Sequence, residues 1–254
     1  MSLANLGDKI KRYYKFSNKE LLSIAITTIV IAFIISFRDW GPGDPVNIHL
    51  GLINFFNSIL IVLLSLLLVE SAVRIAALSF GFQAEYEPFT IGLFISIVIT
   101  FVSRGFVWFF MPNGFKLEPL TAHRLGHHRY EVDYFTLGMI SLFAPIMHIA
   151  LAIFFKAVYI AAPNAILLKA FHLNTLMAIY QILPIPPLAG SKVFFGSRML
   201  YAFSFIGVIV ASVFLYSNLP SWLSILGALV IALICWILYY IFFEKDFWRG
   251  PHPK

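Results

Sequence analysis

The chain has 254 residues, of which 60% are hydrophobic and only 12% charged. Its mean hydropathy is +0.88. A soluble domain carries about 25% charged residues, so this composition excludes a soluble globular fold, while a lipid-facing surface needs no charge. The net charge of +6 does not point to nucleic acid: the basic residues flank apolar stretches, where anionic headgroups and the positive-inside bias place them. The lone cysteine, Cys235, lies inside an apolar run, which excludes an internal disulfide and a cysteine zinc site.

Residues 1–20 are polar and basic and read as a cytoplasmic N-terminal segment without a cleavable signal. The first span is 21–37, followed by the turn-rich loop Arg38-Asp-Trp-Gly-Pro-Gly-Asp-Pro-Val46. A second helix is expected over 51–80, longer than the ~20 residues a bilayer needs, with Glu70 and Arg74 in its last third. The spacing of those two, one turn apart, predicts an ion pair between them. The third apolar stretch, 89–111, begins as a helix. It breaks at Arg104-Gly105, and Phe106-Val-Trp-Phe-Phe110 then favours extended chain before Pro112-Asn-Gly114. Non-helical backbone at membrane depth is tolerated only where protein buries it.

A polar segment, 116–133, holds His123, His127 and His128. Helices follow over 135–162, which contains His148, and over 165–183. Two more spans, 200–216 and 221–243, lead to a basic tail. The fold class is an all-α polytopic membrane protein of about six transmembrane helices with a re-entrant segment. Its expected divisions are the N-terminal segment 1–20, the first transmembrane helix with its outer loop 21–50, a membrane core 51–198 and a C-terminal transmembrane helix pair with basic tail 199–254. Cationic side chains in short loops set orientation. If 89–111 dips in and returns, Lys9, Lys11, Arg12, Lys15, Lys19, Arg74, Lys116, Arg124, Arg129, Lys192, Arg198, Lys245, Arg249 and Lys254 are cytoplasmic, and only Arg38, Lys156 and Lys169 lie outside. A full span there would erase the asymmetry, so the charges favour a re-entrant segment and a cytoplasmic N-terminus in a multi-pass cell-membrane protein.

The sharpest motif is Gln181-Ile-Leu-Pro-Ile-Pro-Pro-Leu-Ala-Gly-Ser-Lys-Val-Phe194. Its prolines, Pro184, Pro186 and Pro187, must end a helix, since each lacks a donor and fixes its own φ. The string resembles the Asn-x-x-Pro-x-x-x-Leu-Asp-Gly signature of site-2 proteases, the intramembrane zinc metalloproteases, in their short archaeal and bacterial form. The resemblance implies a zinc-ligating Asp before Gly190, an Asn in the substrate region, and a His-Glu-x-x-His motif near the end of an earlier helix. At that place stands Val69-Glu-Ser-Ala-Val-Arg74, trailed by Ala84-Glu-Tyr-Glu-Pro88. The family's Ala-Gly-Pro-x-x-Asn pattern is met by Phe143-Ala-Pro-Ile-Met-His148, and the aromatic break at 104–112 falls where relatives carry a membrane-embedded β segment.

The resemblance covers about 60–195, and the departures carry the functional expectation. Glu70 matches the family's general base. The three ligand positions are Val69, Val73 and Ala189, and the substrate-region Asn is Gln181. Valine and alanine offer zinc no electron pair, whereas catalytic zinc needs three protein ligands and an open position. The leading expectation is therefore a pseudoprotease without metal or other cofactor. It would bind or regulate transmembrane segments of other membrane proteins within the lipid bilayer, through a groove lined by Gln181, Pro184, Pro186, Pro187, Gly190 and His148. The first alternative is an active protease whose zinc is held by a displaced set drawn from His123, His127, His128 and His148. The second is a small transporter or channel, suggested by burial of Glu70, Arg104 and His148.

Overall fold

A computed structural model of the chain describes residues 3–40, 47–111, 113–120, 133–217 and 219–244. It bears out an all-α polytopic membrane protein: five helices are long and apolar enough to cross a bilayer, and the only sheet among the described residues has two strands.

The N-terminal segment is more structured than its polarity implies. Helix α1, Leu3–Tyr13, is amphipathic, with Leu6, Ile10 and Tyr13 recurring at helical spacing between Lys9, Lys11 and Arg12. Ser17 then caps α2, Asn18–Ser36, through a capping box: Ser17 Oγ accepts from Glu20 N–H at 3.2 Å, and Ser17 N–H donates to Glu20 Oε2 at 2.7 Å. Helix α3, Ile48–Phe80, runs 33 residues and stops where Gly81 takes φ +90°, a conformation that glycine adopts without strain. Strand β1, Phe82–Pro88, leads into α4, Thr90–Val102.

Helix α4 breaks where the sequence places the break: Arg104 and Gly105 adopt φ of 52° and 72°. The stretch 89–111 does return to the side from which it starts. Strand β2, Asn113–Pro119, pairs antiparallel with β1, from Phe82↔Pro119 to Pro88↔Asn113. Thirteen helical residues rise about 20 Å, and the six residues 106–111 cover at most about 20 Å at strand spacing. The dip and the return therefore match. Contacts to α2 fix the geometry: its start holds β1, with Tyr86 N–H donating to Glu20 Oε1 at 2.8 Å, whereas its end meets the break, with Phe37 and Phe101 ring centroids 5.2 Å apart. The expected β segment at 104–112 is corrected. Residues 104–111 form no strand, and β2 begins only after them, because the aromatic run packs on helix α7 (Ala165–Gln181) instead: Tyr180 stacks edge-on against Phe109 and Phe110, and its hydroxyl donates to Trp108 C=O at 2.9 Å.

The helix expected over 135–162 is divided into α5, Tyr134–Ser141, and α6, Phe143–Ala161. Pro145 explains the break at Leu142, since it cannot donate to the Ser141 carbonyl one turn back. Helix α7, seventeen residues long, returns beside α6 at the place of the sixth expected span but is not among the five helices long and apolar enough to cross. After the prolines come α8, Ala189–Gly196, then α9, Arg198–Tyr216, and α10, Ser221–Tyr239, which ends in a π-helical turn, Tyr240–Glu244.

The molecule thus has a sheet side and a far side. The sheet side gathers α1, the end of α3 and α8; Lys9 Nζ there donates to Leu78 C=O at 3.2 Å. On the far side Asp39 pairs with Lys169, Arg38 lies over the Phe106 ring, and Lys156 Nζ caps the end of α9 by donating to Leu215 C=O at 2.8 Å and Ser217 C=O at 3.0 Å. Arg38, Lys156 and Lys169 share one side, as the charge count expects, and Arg104 joins them.

Candidate functional site

The site forms where α3, β2, α7 and α8 converge on the sheet side. Val69 and Val73 lie one turn apart on α3 and are each 1% exposed, and Ala189 at the start of α8 is 2% exposed. All three belong to one apolar cluster with Phe110, Phe115, Ile140 and Ala144. The two segments that the sequence motifs single out, with Val69 and Ala189 120 residues apart in the chain (189 − 69), therefore share one core.

A chain of hydrogen bonds joins them. Asn113 Nδ2 donates to Glu70 Oε1 at 2.7 Å, Gln181 Nε2 donates to Asn113 Oδ1 at 2.9 Å, and Ala189 N–H donates to Gln181 Oε1 at 3.4 Å. Glu70, Asn113 and Gln181 are all buried. Carboxyl, two amides and a backbone N–H thus form one continuous path from the α3 motif to the proline-rich motif, and each buried polar group finds its partner in the next. Glycines permit the close approach. A Cβ on Gly114 would stand 2.8 Å from Pro187 C=O, so β2 lies directly on the proline loop; one on Gly190 would fall 2.0 Å from Ile182 C=O, inside its van der Waals contact. Pro184 and Pro186 belong to the same connection, between α7 and α8.

The expected Glu70–Arg74 pair is corrected. Arg74 turns toward the N-terminal segment, where Nη2 donates to Glu20 Oε1 and Nη1 to Lys15 C=O, both at 2.5 Å, under the Phe16 ring. Asn113 takes its place beside Glu70. The sequence reading missed Asn113, treating Pro112-Asn-Gly114 as a turn; its signal was an amide side chain closing an aromatic run. Arg104 is likewise corrected: it is exposed at the far-side turn rather than buried.

His148 is fully buried on α6, and its Nδ1 lies 3.0 Å from Asn174 Oδ1 on α7. Asn174 Nδ2 is committed to Ser65 Oγ and Ala170 C=O, both at 2.9 Å, so its oxygen must accept and Nδ1 carries the proton. Nε2 has no hydrogen-bond partner among the described residues. His148 on α6 is therefore tied through Asn174 of α7 to Ser65 of α3, one turn before Val69, while His123, His127 and His128 lie outside the described residues. Among the described residues no three His, Cys, Asp or Glu side chains are grouped to hold a metal. Lys192 on α8 donates to Phe115 C=O, with its Nζ 3.5 Å from the Phe115 ring centroid; burial pushes its ammonium down to about 8, against the opposing pull of the Glu87 and Glu70 carboxylates.

Fold and site together define a polytopic helical membrane protein with a re-entrant segment, a two-stranded sheet flanking that segment and a buried carboxyl at the junction of its two motifs. The chain is 27% identical over 210 residues, 74% of its own length and 90% of the relative's, to a protein of Methanocaldococcus jannaschii named "Putative zinc metalloprotease MJ0611". No protein-family model matches the chain, and no solved structure matches it.

Proposed function

We propose that this chain is a site-2 protease-like membrane protein that has lost its zinc ligands and holds transmembrane segments of other proteins without cleaving them. The observation that carries this reading is the shared apolar core of Val69, Val73 and Ala189 beside hydrogen-bonded Glu70. Under this reading the positions that would carry zinc ligands are still brought into one core, and their side chains offer no donor atom. The similarity to a protein named "Putative zinc metalloprotease MJ0611" over three quarters of the chain supports the likeness to the protease family.

A partner segment would be held by strand addition. Tyr86 N–H points away from β2 to Glu20, and Phe115 C=O points away from β1 to Lys192. By antiparallel alternation the backbone of Leu117 also faces outward, and Leu117 is only half-buried. Glu20 occupies the β1 edge, so β2 beyond Phe115 is where an unwound segment would pair.

The test is metal analysis of the purified protein and of the triple variant Val69→His, Val73→His, Ala189→Asp. The parent is expected to hold no stoichiometric zinc, the triple variant about one per chain through an i, i+4 histidine pair and a carboxylate, and the single variants none. Stoichiometric zinc in the parent, lost on changing His123 or His127, would establish the displaced-site protease instead. A folded triple variant with no gain in zinc affinity would break the alignment of Val69-Glu-Ser-Ala-Val73 with the zinc motif.

A further inference from the structure

Helices α9 and α10 form an antiparallel hairpin that closes through small residues. A Cβ on Gly207 would meet Ala232 Cβ at 3.6 Å, and one on Gly227 would meet the Phe214 ring at 2.8 Å. On the sheet side of the Gly207–Ala232 contact the hairpin carries an apolar groove of about 380 Å³, walled by Met199, Leu200 and Phe203 of α9 and by Leu233 and Trp236 of α10, with Ser197 at its mouth. Beside that mouth stands Arg198, exposed and without an ion pair among the described residues. Residues 189–243 contain no Asp or Glu, so no acidic side chain of α8, α9 or α10 faces Arg198.

We propose that this groove is a binding site for an anionic phospholipid, one acyl chain lying along α9 and the phosphate meeting Arg198. Its depth chooses the occupant. From Arg198 to Gly207 the helix rises about 13 Å at ~1.5 Å per residue, close to the ~15 Å of one leaflet of a ~30 Å hydrocarbon core. A partner's transmembrane helix would need a groove running the full thickness, whereas this one ends at half depth where Gly207 meets Ala232. The lining supplies no polar group below Ser197, which suits an acyl chain, and the single cation at headgroup level supplies the charge preference.

The experiment is native mass spectrometry of the full chain delipidated in detergent and titrated with phosphatidylglycerol or phosphatidylcholine of matched chains. The parent should retain phosphatidylglycerol about fivefold better, the factor that one basic side chain supplies at an anionic surface. Arg198→Gln should bring the two lipids level, and Leu233→Trp, which fills the groove, should lower retention of both. Because Arg198 is exposed, Arg198→Gln is expected to fold. A second readout uses the parent fold: brominated phosphatidylglycerol should quench a component of tryptophan fluorescence that is missing from Trp236→Phe. Equal retention of both lipids by the parent, unchanged selectivity in Arg198→Gln, or quenching independent of Trp236 would each overturn the proposal.

Discussion

Replacing Glu20 or Arg74 tests the contact that fastens the N-terminal segment to the candidate site. The two side chains meet at 2.5 Å and are 5% and 1% exposed. The Glu20 carboxylate also accepts from Ser17 N–H and Tyr86 N–H, so it closes a helix cap and the edge of β1 at once. Arg74→Met leaves that carboxylate buried without a counter-charge. Glu20→Leu leaves the guanidinium without its ion-pair partner, beside Lys15 C=O and the Phe16 ring. Removing one partner of a buried pair costs about 3–5 kcal/mol, and for a chain of this size ~2–4 °C per kcal/mol gives a fall in Tm of about 10 °C for each single variant. The double variant Glu20→Leu, Arg74→Met strands no charge. It loses only the cap and the Tyr86 N–H partner, about 1–3 kcal/mol, and should melt above either single variant. Thermal unfolding of all four proteins in one detergent provides the cycle. If the double variant falls by the sum of the two single losses, the pair is not coupled and the account of this cluster is wrong.

The side assignments predict that cysteines introduced at Glu118 and Asn5 in a Cys235→Ser background label from one face of a sealed vesicle, and one at Arg104 from the other; our reading makes the shared face cytoplasmic, and labelling of Glu118 and Arg104 positions from one face would contradict the re-entrant dip. Lys192 predicts a pH dependence. Its pKa is about 8 in the fold against an ordinary 10.5, so between those values the unfolded chain binds more protons and stability rises with pH. The rise is at most about 1.4 kcal/mol per pH unit, is absent below the window, and should vanish in Lys192→Met when Tm is followed across it.

Periodicity and length made the spans legible, because a bilayer imposes one requirement on every helix. The break at Arg104-Gly105 was equally legible from residue type, since few sequences place an arginine and a glycine at that depth. The strands were not. Ala84-Glu-Tyr-Glu-Pro88 and Asn113-Gly-Phe-Lys-Leu117 are short and mixed, and they pair only because α4 returns the chain to its starting side, a long-range consequence that no local pattern carries. The partners of Glu70 and Arg74 were hidden for the same reason. Spacing on one helix suggested that they bind each other, but a buried group takes whichever partner the tertiary fold brings closest: Glu70 accepts from Asn113 of β2, and Arg74 donates to Lys15 C=O and to Glu20 at the start of α2.

That exchange of partners bears on why Glu70 persists at such depth. An isolated carboxyl there is costly, and the neighbouring aliphatic side chains Val69 and Val73 offer it nothing. Asn113 and Gln181 do: one amide donates to the carboxyl, the next donates to the first, and the last oxygen accepts from the backbone at Ala189. Each member is satisfied only while the others stay in place, so the network fixes the spacing of α3, β2, α7 and α8. Such a network can hold the shape of a site whether or not chemistry occurs in it. The proposed segment-holding role would need that shape, and in this chain a buried acid and two amides are the groups positioned to maintain it.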